Sequence, residues 1–183
     1  DLYLTIDINF QREVDNIIIE SLKSAKLEPN TNFLNKSFVI VSNPINGEIY
    51  AMSGKQIING KTYDYTPGII TTSYVVGSTV KGASHIVGYN TGALKIGEVR
   101  EDSCIKIKAT NEKCSWKYLG LLDDITALKY SSNTYQFRTA IKVGKGNYYY
   151  NAPLNLASEA LETYRNTFNE FGLGTKTGID LVG

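Results

Sequence analysis

Residues 74–89, YVVGSTVKGASHIVGY, pass from a β-branched run to helical spacing at Gly77 and Ser78. The change predicts an extended segment that delivers Ser78 onto the first turn of a helix, with Val80, Ala83 and Val87 along one apolar face. Gly82, Ala83, Ser84 and Gly88 are small or poor helix residues, acceptable where neighbours pack closely on several sides. The helix is therefore expected to be central and buried. Ser78 and Lys81 then lie three apart with side chains on the same face. An amine so placed can take the proton of a hydroxyl, which is what a serine nucleophile requires. The competing reading is a chance match on a core helix, since four-letter patterns recur in any chain. One recurs here, at Ser103 to Lys106. Its surroundings, Cys104 to Lys108, alternate like a strand, and residues three apart on a strand face opposite sides, so the second copy is inert.

With 42% hydrophobic and 20% charged residues among 183, the chain has room for one core. A net charge of +1 gives no reason to invoke nucleic acid or an anionic membrane. No apolar run approaches the roughly 20 residues of a spanning helix, and no secretory leader is present. The chain starts at Asp1 rather than at methionine, which predicts a trimmed piece whose leader or anchor lies outside it. Cys104 and Cys114 flank a polar tip; they would bridge a loop in an oxidising compartment and stay free in a reducing one. With one histidine, His85, and no clustered ligands, neither a metal nor a cofactor is expected.

In chain order, Phe10, Val14, Ile17, Ile18, Leu22 and Ala25 recur at helical spacing behind Asp7 or Asn9 as cap, predicting a helix that ends near Leu27. Its charged face, with Arg12, Glu13, Asp15, Glu20 and Lys23, reads as solvated. Residues 38–41 and 49–52 are apolar runs joined through Pro44, Asn46 and Gly47, a hairpin signal. Asn59-Gly60 and Thr66-Pro67-Gly68 mark further turns. Residues 92–118 read as irregular or short strand. Asp123 or Asp124 caps a short helix ending at Tyr130, and Asn133 caps another over residues 134–143, with Phe137, Ala140 and Ile141 inward. Ser131-Ser132-Asn133 therefore occupies a tight turn, where its side chains either reach a cleft or serve as caps. Asn151-Ala152-Pro153 opens a last helix with Ala157, Leu161, Tyr164, Phe168 and Phe171 as its buried stripe and Gly172 as its end. His85 reads as a packed side chain, and Tyr148 to Tyr150 as a loop against the core.

The order of these pieces resembles the transpeptidase domain of class B penicillin-binding proteins. Residues 2–7 with Gln11 and Glu13 are similar to that family's entry into its first helix, and residues 43–52 to its first hairpin. Val76-Gly77-Ser78-Thr79-Val80-Lys81 resembles the nucleophile motif, and Ala127 to Asn133 the S-x-N motif. Residues 171–181 are similar to a glycine-rich stretch that follows. The resemblance covers nearly the whole chain and is weakest over residues 89–118. S-x-x-K, S-x-N and K-T-G motifs together mark penicillin-binding proteins and class A β-lactamases. Val76 stands where the family usually has proline. Lys176-Thr177-Gly178 spells the third motif but follows the glycine-rich stretch directly, whereas the family's functional copy lies further on, on a strand. It is read as a decoy.

The resemblance implies an α/β (α+β) penicillin-binding transpeptidase fold over residues 1–183, incomplete, with helices packed on a sheet whose C-terminal strands are missing. It implies acyl transfer from peptidoglycan stem peptides ending in D-Ala-D-Ala, inhibition by β-lactam antibiotics, and a place on the extracytoplasmic face of the bacterial cell membrane through an anchor absent from the chain. Ser78 would be the nucleophile, Lys81 its base, Ser131 a proton relay and Asn133 the group that holds the substrate amide. A piece lacking the remainder of the domain, and with it the second oxyanion donor, would be a poor enzyme. Two alternatives are a serine β-lactamase and a non-catalytic penicillin-binding sensor or scaffold.

Overall fold

A computed structural model describes residue 1 and residues 3–179. Leu2 of the opening segment, and Asp180 and Leu181 of the glycine-rich stretch, lie outside the described residues. The described chain forms two compact units, Asp1–Tyr74 and Val75–Ile179.

In the first unit, helix α1 (Ile8–Ala25) begins where the Asp7 carboxylate accepts from the Asn9 and Phe10 backbone N–H groups. Strands β1 (Lys36–Ser42), β2 (Ile49–Ile58) and β3 (Lys61–Asp64) form an antiparallel sheet in that order, with Val39 opposite Ser53 and Val41 opposite Ala51. The expected hairpin is present. The Asn59-Gly60 turn makes a second one, both residues having positive φ as a two-residue hairpin turn demands. The sheet thus has three strands, where two were visible in the sequence.

Only Val14, Ile18 and Leu22 of α1 are buried, whereas Phe10 and Ile17 are 43% and 60% exposed. The line of residues four apart meets the strands, and the rest of the apolar stripe is too wide for so narrow a sheet. The charged face is not simply solvated either. Asp15 accepts from Ser53 Oγ at 2.5 Å and pairs with Lys55 Nζ at 2.8 Å, and Lys55 also reaches Asp64 at 2.9 Å. Gln11 exchanges two side-chain hydrogen bonds with the Met52 backbone. The segment leading to the β-branched run forms a single helical turn, α2 (Gly68–Thr71), and residues 72–76, expected to be extended near Ser78, are coil rather than strand. Pro67 sets φ for that turn, and Gly68 lies so close to the Tyr65 ring that a Cβ there would approach it to 2.3 Å.

In the second unit, α3 (Lys81–Asn90) is the central element, in contact with α4 (Asp124–Lys129), α5 (Asn133–Val143) and α6 (Ala160–Glu170). Val87 is fully buried, with Ala93, Val143, Tyr164 and Phe168 around it. Gly88 justifies the expected close packing, since a Cβ would lie 2.8 Å from both Leu94 and Thr139. Gly82 does not, being open to solvent. A second cluster joins Leu94, Leu122, Ala127 and Tyr135 beside a short β4 (Arg100–Glu101) and β5 (Leu121–Leu122) pair.

The last helix starts later than Pro153 suggested. Residues 151–159 form no helix, and the Leu156 side chain packs on Gly144 and Gly146 while Ala157 N–H donates to the Gly144 carbonyl. Of the predicted stripe, Leu161 and Phe171 are exposed and Thr167 is buried instead. Phe137 of α5 is likewise partly exposed, while Ile141 is buried.

Candidate active site

Ser78 does not stand on the first turn of the α-helix. Residues Gly77–Val80 form a 3₁₀ turn, entered through Gly77 at φ +58°, and α3 begins at Lys81. Ser78 is exposed, and among the described residues its hydroxyl has no hydrogen-bond partner. Lys81 Nζ instead donates to the Ser131 carbonyl at 2.7 Å, Ser131 Oγ at 3.0 Å and Asn133 Oδ1 at 2.7 Å. An ammonium has three N–H donors, and three acceptors surround this one. Ser78, Lys81, Ser84, Asn133, Gln136 and Phe137 line one cleft of about 340 Å³.

The shape of the clasp follows from how α4 ends. Ser132 N–H bonds to the Ala127 carbonyl and Ser131 N–H to the Leu128 carbonyl, the Schellman pattern. Its left-handed position is normally glycine, but here it is Ser131, at φ +55°. A non-glycine residue in that region costs roughly 1–3 kcal/mol. Ser132, not Asn133, then caps α5, its hydroxyl accepting from Tyr135 N–H at 3.1 Å. The two readings of the tripeptide are divided between its residues: Ser132 caps, while Ser131 and Asn133 face Lys81.

Behind the turn lies Asp102, a buried carboxylate in the stretch where sequence reasoning assigned nothing. It accepts from Ser132 Oγ and Thr134 Oγ1, both at 2.5 Å, from Ser115 Oγ at 2.7 Å and from Leu119 N–H at 3.2 Å. Burial works to raise its affinity for a proton, but these donors outweigh it and hold the carboxyl below the usual range. Ser115 Oγ also accepts from the Asn133 N–H at 2.9 Å. Cys104 and Cys114 are bridged, resolving the alternatives left by their spacing, and the Cys114 carbonyl accepts from Asn133 Nδ2 at 3.3 Å. Among the described residues the one group with metal-ligand spacing is Cys104, Glu112 and Cys114, whose sulfurs are consumed by that bridge.

Burial pushes the Lys81 ammonium below the ordinary lysine value, and the negative charge of Asp102 pulls it the other way. His85 is buried within the helical packing, stacked on Tyr135 with ring centroids 5.7 Å apart. Its Nε2 lies 3.2 Å from the Asp124 carbonyl, and its Nδ1 lies 3.1 Å from the Lys81 carbonyl and 2.7 Å from the Gln136 amide nitrogen. The second S-x-x-K copy lies in a loop with isolated bridges; there Ser103 accepts from Arg138 and Lys106 N–H donates to Tyr148. Tyr149 and Tyr150 are exposed. Lys176, Thr177 and Gly178 are exposed and irregular, not on a strand.

Ser78 in the 3₁₀ turn and Lys81 at the start of α3 line one cleft, with the Ser131–Asn133 turn closing over the amine. The family model described as the penicillin binding protein transpeptidase domain matches residues 37–183, and the chain belongs to that family. It is 47% identical over 186 residues to penicillin-binding protein 2A of Bacillus subtilis, covering 99% of this chain and 26% of that protein. It is 34% identical to penicillin-binding protein 2B of Streptococcus pneumoniae, covering 28% of that protein. The solved structure of penicillin-binding protein 2B from Streptococcus pneumoniae strain 5204 superposes with a TM-score of 0.88 at 30% identity, over 98% of this chain and 31% of that one. The chain thus spans about a quarter of the length of these curated relatives. PonA1 of Mycobacterium tuberculosis shares the fold, with a TM-score of 0.60 at 16% identity over 95% of this chain and 39% of that one.

Proposed function

We propose that the protein is a peptidoglycan D,D-transpeptidase that works through an acyl-enzyme on Ser78. The observation that carries this reading is the clasp of Lys81 by Ser131 and Asn133 in the cleft that Ser78 lines. Ser78 Oγ adds to the carbonyl carbon of the penultimate D-alanine of a stem peptide, and its proton passes to Lys81. Lys81 must first be a neutral amine, which means yielding one of its three hydrogen bonds; burial makes that state accessible. The peptide C–N bond then breaks, and the terminal D-alanine leaves with a proton relayed through Ser131. The amine of a neighbouring stem peptide attacks the ester, gives its proton to the same relay, and restores the Ser78 hydroxyl. The Ser78 N–H, at the start of the helical turn, is one donor to the oxyanion. Asn133 orients the substrate amide.

On this reading β-lactam antibiotics acylate Ser78. The protein acts at the extracytoplasmic face of the bacterial cell membrane, held by an anchor outside this sequence; no helix among the described residues is long and apolar enough to cross a membrane. The Cys104–Cys114 bridge fits an oxidising compartment.

The test is labelling of the protein at its full natural length with fluorescent penicillin. A persistent adduct on the Ser78 peptide, lost in Ser78→Ala, is expected. Rapid release of the adduct would favour a β-lactamase, and labelling that survives Ser78→Ala would refute the assignment.

A further inference from the structure

Asp102 is 30 residues from the turn it supports, yet its carboxylate is a point at which the α4–α5 turn, the loop before it and the start of α5 meet. Three hydroxyls and one backbone amide donate to it, which leaves little freedom for the carboxylate to move or for the turn to relax. Ser132, which donates to Asp102, lies between the two residues that bind Lys81. Ser115, which also donates to it, in turn accepts from the Asn133 N–H.

We infer that Asp102 is a positioning residue for Lys81: its carboxylate, bonded to the Ser132 hydroxyl between the two residues that hold the amine, locks the Ser131–Asn133 turn into the shape that grips it. This rests on the transpeptidase reading, with Lys81 as the base. A permanent anion hydrogen-bonded to the middle residue of the turn favours the ammonium, opposing burial, so the working proton affinity of Lys81 is a balance of the two. The four donors keep Asp102 ionised well into the acid range, so its charge is constant wherever Lys81 titrates. The other ionisable groups on elements around Lys81 include the buried Asp124 at the start of α4, Lys142 near the end of α5, and Lys106 and Lys108 between the two cysteines. His85 shares its helix and is kept neutral chiefly by burial. Lys129 ends α4, Arg138 lies further along α5, and Glu112, Lys113 and Lys117 are exposed in the loop that carries the disulfide.

The experiment is the rate of penicillin acylation against pH, on the protein at its full natural length. Asp102→Asn keeps the shape and removes the charge. Its acid limb, where activity falls as Lys81 becomes protonated, is expected to move to lower pH, with a lower plateau because an amide whose oxygen keeps the three hydroxyls turns its nitrogen, a donor, toward the Leu119 N–H. Thr134→Val removes one hydroxyl and keeps the charge, so it is expected to lower the rate about tenfold at every pH with the limb in place, a lost charged-group hydrogen bond. An unmoved limb in Asp102→Asn, or one that moves equally in Thr134→Val, overturns the inference. Should Asp102→Asn not fold, Asp102→Glu joins Thr134→Val: retained charge predicts a wild-type limb, and a displaced limb overturns the inference. If the wild type itself takes no label, the transpeptidase reading fails and this inference, which rests on it, falls with it; a labelled wild type with an unmoved Asp102→Asn limb overturns this inference alone.

Discussion

Ser131 presents both its carbonyl and its hydroxyl to the Lys81 ammonium, at 2.7 and 3.0 Å, and does so from a left-handed backbone at φ +55°. Glycine would occupy that position without strain. A serine there sets backbone comfort against a second hydrogen bond to the amine. Ser131→Gly is therefore expected to leave the melting temperature unchanged or raise it slightly, while penicillin acylation falls roughly a hundredfold for loss of a proton relay. Thermal melts and labelling rates on the same preparation check it; a variant that loses both together would show that Ser131 is structural.

The two glycines of α3 have opposite surroundings. A Cβ on Gly88 would lie 2.8 Å from Leu94 Cβ and Thr139 Cγ2, at the contact between α3 and α5, whereas one on Gly82 meets nothing within 4 Å. Gly88→Ala is expected to cost about 1–3 kcal/mol through overpacking. Gly82→Ala is expected to gain roughly 0.5–1 kcal/mol from helix propensity. Urea melts of the two variants should shift in opposite directions.

What could be read in the sequence depended on how local its cause was. The β1–β2 hairpin was legible because its turn residues are distinctive, whereas helical spacing set Ser78 on the first turn of α3 and the structure has it in the 3₁₀ turn before that helix. The tripeptide after α4 was half legible. Asn133 and Ser132 are both good caps, and which of them caps depends on the Schellman ending of α4, which a serine rather than a glycine in the left-handed position conceals. Asp102 left no signal at all: it sits in an aperiodic loop, and its importance comes from hydroxyls 13 to 32 residues away. The late start of α6 has the same origin, since the Leu156 side chain seated on Gly144 and Gly146 is a tertiary contact that outweighs a local proline signal.

Glu98 accepts from Arg100 at 3.0 Å and from Lys142, and its carboxyl lies at about 2. Burial alone would raise it; the bonds from Arg100, Lys142 and the Lys95 N–H overcome that. The unfolded chain, with an ordinary glutamate value of 4.5, binds more protons than the folded one between these limits. The stabilisation is thus complete above the unfolded value and is lost as pH falls through the folded one. Glu98→Gln is expected to flatten the stability profile between about pH 4.5 and 2, measured by denaturant melts at a series of pH values. An unchanged slope would show that the ion pairs contribute nothing.

The disulfide is tied to the site through one carbonyl. Cys114 O accepts from Asn133 Nδ2, the amide whose oxygen holds Lys81, so the loop between Cys104 and Cys114 braces the clasp from outside. Closing a loop of this size stabilises a fold by up to about 3 kcal/mol. Replacing both cysteines by serine is therefore expected to lower the melting temperature by several degrees. The brace argues for a second effect, slower acylation at a temperature where the variant remains folded, because Asn133 then samples orientations that release the amine. Equal labelling rates for wild type and the double variant, alongside the lowered melting temperature, would confine the bridge to stability and separate it from the chemistry of the cleft.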